Sequence, residues 1–382
     1  MKTKSKGLFI AAILTMSLVQ MGANGIAPIL AQIGETFSSA SPTRIQFLMT
    51  FPTIFSLIFT MITAFISDII PKKKLVVAGL IVVGAGGVLA FCFHGSLGIL
   101  FLWAAVIGIG IGMVAPVAPA LINENFRDSE KQMLLGLQNS SSTGGGMLMS
   151  FIGGFLALAG WPFGYLVYLI GIPGLIFALI GLPKDSRAAS EKTDGAIRGK
   201  FRLVIWKEMI ITILLLTAFS SVPANISMLV EERALGDTSV SGTLSTVFLA
   251  GGLAGGLLYG RIAPLLKRFT STLGSFLLAA GALVIAIAHN VPLALVGCFF
   301  AGFATMVMPA NLAAAGRLPG YETLNSALIL SASFIGAFIT PVLTSIALAV
   351  SGSGSVTYRF YTTVAAALIL AVLTVLFGEK EE

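Results

Sequence analysis

Gly98 to Ile122 reads GILFLWAAVIGIGIGMVAPVAPALI, without one charged side chain. A helix needs on the order of 20 mostly apolar residues to cross the hydrocarbon core of a bilayer, and this run is long enough. Its glycines at 108, 110 and 112 superficially suggest a dinucleotide-binding turn. That motif must follow a strand and open a helix, however, and here it lies inside an apolar helix, so small residues permitting close helix approach are the better reading.

Outward from this stretch the same pattern recurs. Before it come Gly7 to Ile33, Arg44 to Ile70 and Leu75 to Phe93, and after it Gln132 to Leu158 and Phe163 to Leu182. The second half gives Glu208 to Val230, Ser241 to Ile262, Thr270 to Ala288, Pro292 to Ala315, Thr323 to Val350 and Thr357 to Phe377. With 56% hydrophobic residues and a mean hydropathy of +0.97, the chain reads as an all-α membrane protein of twelve spans, six plus six. The domains expected are residues 1–182, a linker over 183–206 and residues 207–382. Lys2, Lys4 and Lys6 precede an apolar run too long for a signal peptide, so a retained first helix is expected.

Cations set the expected orientation. If both termini are cytoplasmic, the Lys72 to Lys74 cluster, Arg127, Lys131, the linker cations, Arg261, Lys267, Arg268 and Arg317 all lie inside, leaving Arg44, Arg233 and Arg359 outside. This is the positive-inside pattern of a bacterial-type plasma membrane protein. It accounts for the formal charge of +7 without nucleic acid. Trp161, Tyr165, Trp206, Tyr321, Tyr358 and Tyr361 fall near helix ends, where aromatic rings anchor at headgroup level. Cys92 and Cys298 are too far apart in sequence to argue for a disulfide or a metal site.

The halves overlay at several points. Ala23-Asn24 matches Ala224-Asn225, Met113-Val114-Ala115-Pro116 matches Met306-Val307-Met308-Pro309, and Ser141 and Gly146 fall on Ser331 and Gly336. A duplicated bundle places a solute site near the membrane midplane, between halves that rock about it. After the second span the chain reads Ala64-Phe65-Ile66-Ser67-Asp68-Ile69-Ile70-Pro71-Lys72-Lys73-Lys74. The six-plus-six pattern, the middle linker and this acid followed by a basic cluster resemble the major facilitator superfamily, whose loop here reads Gly-x-x-x-Asp-Arg-x-Gly before basic residues. Asp68 and the lysines match; both glycines and the arginine are absent. Gly145 to Gly154 and Gly160-Trp161-Pro162-Phe163 further resemble bacterial drug-efflux-like permeases, with Met149-Ser150 replacing their Gly-Pro, Pro162 standing where their Gly-Trp-Arg has its cation, and Ala104 to Gly108 lacking their arginine and glutamine.

The resemblance implies a fold of two pseudo-symmetric six-helix bundles and secondary transport by alternating access. It also implies a conformational latch at Asp68 with Lys72, Lys73 and Lys74, the Asp68 carboxylate facing a neighbouring helix N-terminus in one state. For the solute, neutral polar groups stand out: Gln20 and Asn24, four apart and so on one face of an α-helix, with Gln138, Asn139, Ser221, Asn225 and Asn311. Phe51, Met113 and Met306 are candidates for soft apolar walls. Amides donate and accept, which suits a small neutral or amphipathic organic solute, with efflux favoured. The alternatives are uptake of an organic anion or nutrient through Arg44, Arg233 or Arg359, and a non-transporting receptor using the same bundle. No catalytic constellation, cofactor motif, metal cluster or nucleotide loop is expected within the spans. The expected partners are a small-molecule solute, the lipid bilayer and a proton as coupling ion, with the protein a monomer.

Overall fold

In the computed structural model, residues 3–40, 42–67, 69–183, 195–236, 238–267, 269–315, 321–351 and 355–377 are described. They are helical almost throughout, and none of them forms a strand. In chain order the α-helices are α1 Thr3–Ser17, α2 Leu30–Thr36, α3 Pro42–Ile66, α4 Lys72–Cys92, α5 Leu97–Val114, α6 Val117–Asn125, α7 Asp128–Leu156 and α8 Gly171–Gly181. They continue with α9 Gly195–Glu232, α10 Thr238–Leu266, α11 Phe269–Ile287, α12 Val291–Phe303, α13 Val307–Ala315, α14 Glu322–Ser351 and α15 Val356–Phe377. Among the described residues eleven helical stretches are long and apolar enough to cross a membrane, with Lys6–Ser17 a shorter apolar helix.

Several expected spans are segmented, and the breaks have physical causes. The first, read as Gly7 to Ile33, is α1, a turn, a 3-10 segment Gly22–Ile29 and then α2. Pro28 lies in the 3-10 segment, and Gly22 and Gly25 are held where an added β-carbon would strike Ile111 and Val167 at 2.9 Å each. The fourth span splits into α5 and α6 at Ala115-Pro116. Pro116 has no N–H, so the Gly112 carbonyl loses its helical donor; the Thr60 hydroxyl lies 3.4 Å from that oxygen instead. The tenth span breaks comparably, through a 3-10 turn Ala304–Met306 before Pro309, which then sits in the first turn of α13, where a missing N–H is harmless. The second part of the expected linker is also helical, since α9 already begins at Gly195. Residues 184–194 lie outside the described residues.

Two compact units emerge. The first comprises Met1–Asn125, Ser141–Lys192 and Leu318–Ser331; the second comprises Phe126–Ser140, Thr193–Arg317 and Ala332–Glu382. Inside the first, α3 and α4 both pack on α5, and α1 packs on α8. Inside the second, α10 and α11 both pack on α12, and α9 packs on α15. The order of packing partners is thus repeated. Glycines set the spacing of these seams: β-carbons at Gly79 and Gly110 would strike the opposing helix in the α4/α5 seam, as would those at Gly281 and Gly297 in the α11/α12 seam. In lipid there is little hydrophobic force between helices, so such backbone contact carries the packing. The surface is correspondingly apolar: Phe151, Leu158 and Leu265 are 76%, 80% and 82% exposed, as lipid-facing side chains are.

Candidate functional site

In the first unit the broken helix is seated on α7. β-Carbons at Gly145 and Gly146 would meet the Leu18 backbone and Met21, and one at Gly146 would also lie 2.9 Å from the Asn24 amide nitrogen. The Tyr168 hydroxyl donates to the Gly22 carbonyl at 3.0 Å, answering one of the acceptors that the break exposes. Sequence reading missed Tyr168, and it misplaced Tyr165: at 1% exposure that residue is a core side chain, not a headgroup anchor.

Gln20 and Asn24 do not share the face of one α-helix, because the chain between them is a turn entering a 3-10 segment. Gln20 lies in the turn, its amide nitrogen 3.5 Å from Ser17 Oγ. Asn24 is half-buried, and its only partner among the described residues is the Met21 sulfur, 4.0 Å from Nδ2. Its carbonyl oxygen accepts nothing there.

Phe51 sits in an aromatic cluster, its ring centroid 5.7 Å from Phe47, 5.3 Å from Phe55 and 5.0 Å from Phe101. Met113 is half-buried, its β-carbon directed at Gly79. Asp68 lies outside the described residues. Of the lysines beside it, Lys72 is fully buried in an ion pair with Glu124, whose side chain is 21% exposed. Lys73 donates to the Leu179 and Leu182 carbonyls at 2.5 and 3.0 Å, closing the C-terminal end of α8. Lys74 is exposed.

In the second unit the polar candidates are largely bonded to one another. Asn225 is 3% exposed; its Nδ2 donates to the Ser221 carbonyl at 2.7 Å and lies 3.2 Å from Ser221 Oγ. Its Oδ1 accepts from Arg359 Nη1 at 3.1 Å. Ser221 Oγ also accepts from the Thr363 hydroxyl at 2.8 Å. The group joins α9 to α15. Asn311 Nδ2 donates to Thr212 Oγ1 at 2.8 Å, joining α13 to α9. Met306 is fully buried with Tyr259 and Ala263. Gln138 is buried and Asn139 half-buried on α7.

Beyond these groups, Arg233 donates to the Ala286 and Ala288 carbonyls and, at 3.0 Å, to Thr357 Oγ1. Its neighbour Glu232 accepts from Ser355 Oγ at 2.5 Å and from the Val356 N–H at 2.6 Å, at the N-terminus of α15. Those hydrogen bonds, aided by Arg233 and Arg359, hold its carboxyl below the ordinary value of 4.5. The cap is therefore complete above that value and is lost as pH falls through the lower value of the folded protein. Glu232→Gln is expected to lower stability slightly at neutral pH, by about 0.5 kcal/mol given its exposure, and to flatten the acid limb of a thermal-unfolding profile against pH.

A comparison with protein families matches the description Major Facilitator Superfamily over residues 12–235. A search of curated proteins finds no match. Among solved structures, the chain is similar to the E. coli fucose:proton symporter FucP, with 13% identity, a TM-score of 0.77, and 97% of this chain and 98% of that one covered. It is similar to the proton:xylose symporter XylE, with 14% identity, a TM-score of 0.77, and 98% and 96% covered. It is also similar to the human organic anion transporter MFSD10, with 14% identity, a TM-score of 0.74, and 97% and 98% covered. The segmented apolar helices, the repeated packing order and a family match over more than half of the sequence lead to one conclusion: this multi-pass membrane protein belongs to the major facilitator superfamily and is a secondary transporter.

Proposed function

We propose that the protein moves a small neutral or amphipathic organic solute outward across a bacterial-type plasma membrane. It works as a monomer by alternating access of the bundles 1–182 and 207–382, with the 183–206 connection and both termini cytoplasmic. The observation carrying this reading is the contrast between the paired asparagines. Asn225 is committed on both sides of its amide, whereas Asn24 keeps a free acceptor and a weakly held donor on a half-buried, non-α stretch. Irregular backbone at membrane depth is tolerated where it is buried in protein or lines a cavity, and an uncommitted amide on such a stretch can both donate to and accept from an uncharged solute. Gln20, Phe51, Met113, Gln138, Asn139, Ser221, Met306 and Asn311 complete the proposed lining or its support. Asp68 with Lys72 to Lys74 remains the proposed latch. The names of FucP and XylE pair a sugar with a proton, and a proton is the proposed coupling ion here too.

Counterflow in proteoliposomes, with solutes first selected by thermal shift, tests the reading. Asn24→Ala is expected to weaken solute affinity about three- to tenfold, the worth of one or two hydrogen bonds to an uncharged group. Asn225→Ala should instead lower thermal stability by loosening α9 from α15. Unchanged affinity in Asn24→Ala would remove Asn24 from the site. Accumulation by inside-out vesicles supports export, and accumulation by right-side-out vesicles alone reverses the direction. Repeating the assay with an imposed pH gradient checks the proton.

A further inference from the structure

We propose that the seam between α9 and α15 holds a site for a carboxylate group, with Arg359 as its receptor and Asn225 as the residue that positions it. The proposal deepens the carrier reading above and rests on it for the solute's passage; it assigns the polar end of an amphipathic solute.

Arg359 lies in the first turn of α15, within a span that reads Val356–Leu376. An arginine there can reach the interface, so its engagement with polar groups of a neighbouring helix is a choice of the fold rather than a necessity of burial. The guanidinium is held along one side only. Nη1 donates to Asn225 Oδ1 at 3.1 Å and to Met228 Sδ at 3.2 Å, which accounts for both of its protons. Nη2 has no partner among the described residues. Nε is shut off from solvent and has no hydrogen-bond partner either. No described carboxylate forms an ion pair with the group. Glu232, the acid close enough to feel its charge, is already held by Ser355 and Val356.

The unused pair matters geometrically. Nε–H and one Nη2–H point the same way from the planar guanidinium, forming the fork that binds both oxygens of a carboxylate. Its orientation is fixed from behind. Asn225 cannot turn its amide over, because Nδ2 is engaged by Ser221, and Ser221 is tied in turn to Thr363. Arg359 is half-buried as a residue, so part of the side chain is open while Nε itself is covered. Met228, 41% exposed beside Nη1, offers a flexible apolar wall for the remainder of a solute.

A purely structural arginine looks different, and Arg233 in the same unit supplies the comparison. Its two terminal nitrogens reach the Ala286 and Ala288 carbonyls and Thr357, so it ties three points of the fold together. Arg359 meets one amide and one sulfur and leaves its fork empty.

The test is thermal shift of the purified full chain at neutral pH with benzoate and octanoate against benzamide and octanamide. Each pair differs in the charge of one group. The expected result is stabilisation by an acid beyond that by its amide. In Arg359→Gln the apparent affinity for the acid should fall about tenfold or more, with the response to the amide unchanged. Arg359→Lys keeps the charge but not the fork and should retain only part of the affinity. Equal stabilisation by acids and amides in the unaltered protein overturns the proposal. Undiminished binding of acids by Arg359→Gln, or by Arg359→Lys if the glutamine variant does not fold, overturns it as well. Counterflow separates this from the wider reading: transport of neutral solutes without any carboxylate effect leaves the carrier standing and removes the site. Carboxylate binding that depends on Arg359, with no counterflow of any solute, does the reverse.

Discussion

Replacing Gly108 by valine should collapse the α3/α5 seam and give a protein that does not accumulate in a folded form. A β-carbon at Gly108 would run into the Pro52 carbonyl and sit 2.9 Å from its Cα, so the obstacle is backbone rather than a side chain that can turn away. The seam has no slack one turn on. Ser56 Oγ donates to the Gly108 carbonyl at 3.0 Å, and a β-carbon at Gly112 would lie 2.8 Å from that of Phe59. Overpacking typically costs about 1–3 kcal/mol, and rigid backbone on both sides puts valine at or beyond the upper end of that range. Gly108→Ala is the graded version, expected near 2 kcal/mol, whereas Gly7→Ala meets nothing within 4 Å and should be harmless. Size-exclusion profiles with thermal melts in detergent read all three. A Gly108→Val protein melting with the unaltered one would mean that the helices do not approach as described.

The second large effect is expected at Lys72. Its ammonium is fully buried against the Glu124 carboxylate, and the two residues are 52 apart in sequence. Removing one member of a buried pair leaves the other uncompensated, so Lys72→Met should cost on the order of 3 kcal/mol. The double variant Lys72→Met with Glu124→Gln should recover most of that, because neutralising both partners removes the stranded charge. Melting temperatures of the two single variants and the double close the cycle. Strictly additive losses would show that the pair contributes no coupling. Counterflow by the double variant separates a structural role for Lys72 from the latch proposed around Asp68, since a latch should also change transport rate where stability is restored.

Much of the fold was legible because a bilayer imposes a length and an apolarity on every crossing segment. Gly98 to Ile122 declared itself without any knowledge of its neighbours. What remained hidden was where those segments stop being α-helical. Gln20 and Asn24 were paired by a four-residue spacing that holds only on a continuous α-helix, and the chain leaves that geometry at residue 18. The proline before α6 was visible, yet the threonine placed to answer the carbonyl it frees, Thr60, lies on another helix.

The candidate site divides in the same way. Asn24 and Asn225 were found as a repeated pair, but the sequence could not say that one amide is spare and the other fully engaged. Arg359 looked like an outward cation among three; its contact with Asn225 spans 134 residues. Tyr165 looked like an anchor because position near a helix end was all that could be read.

Composition and the length of the apolar runs alone determined that this is a helical membrane protein, since the solvent itself enforces that pattern residue by residue, and matched segments such as Ala23-Asn24 and Ala224-Asn225 suggested two related halves. Tertiary structure alone decided which polar groups neutralise each other and which are left with unused donors. Hydrogen bonds and ion pairs depend on distances of a few ångströms between helices far apart in the chain, and no local pattern encodes them.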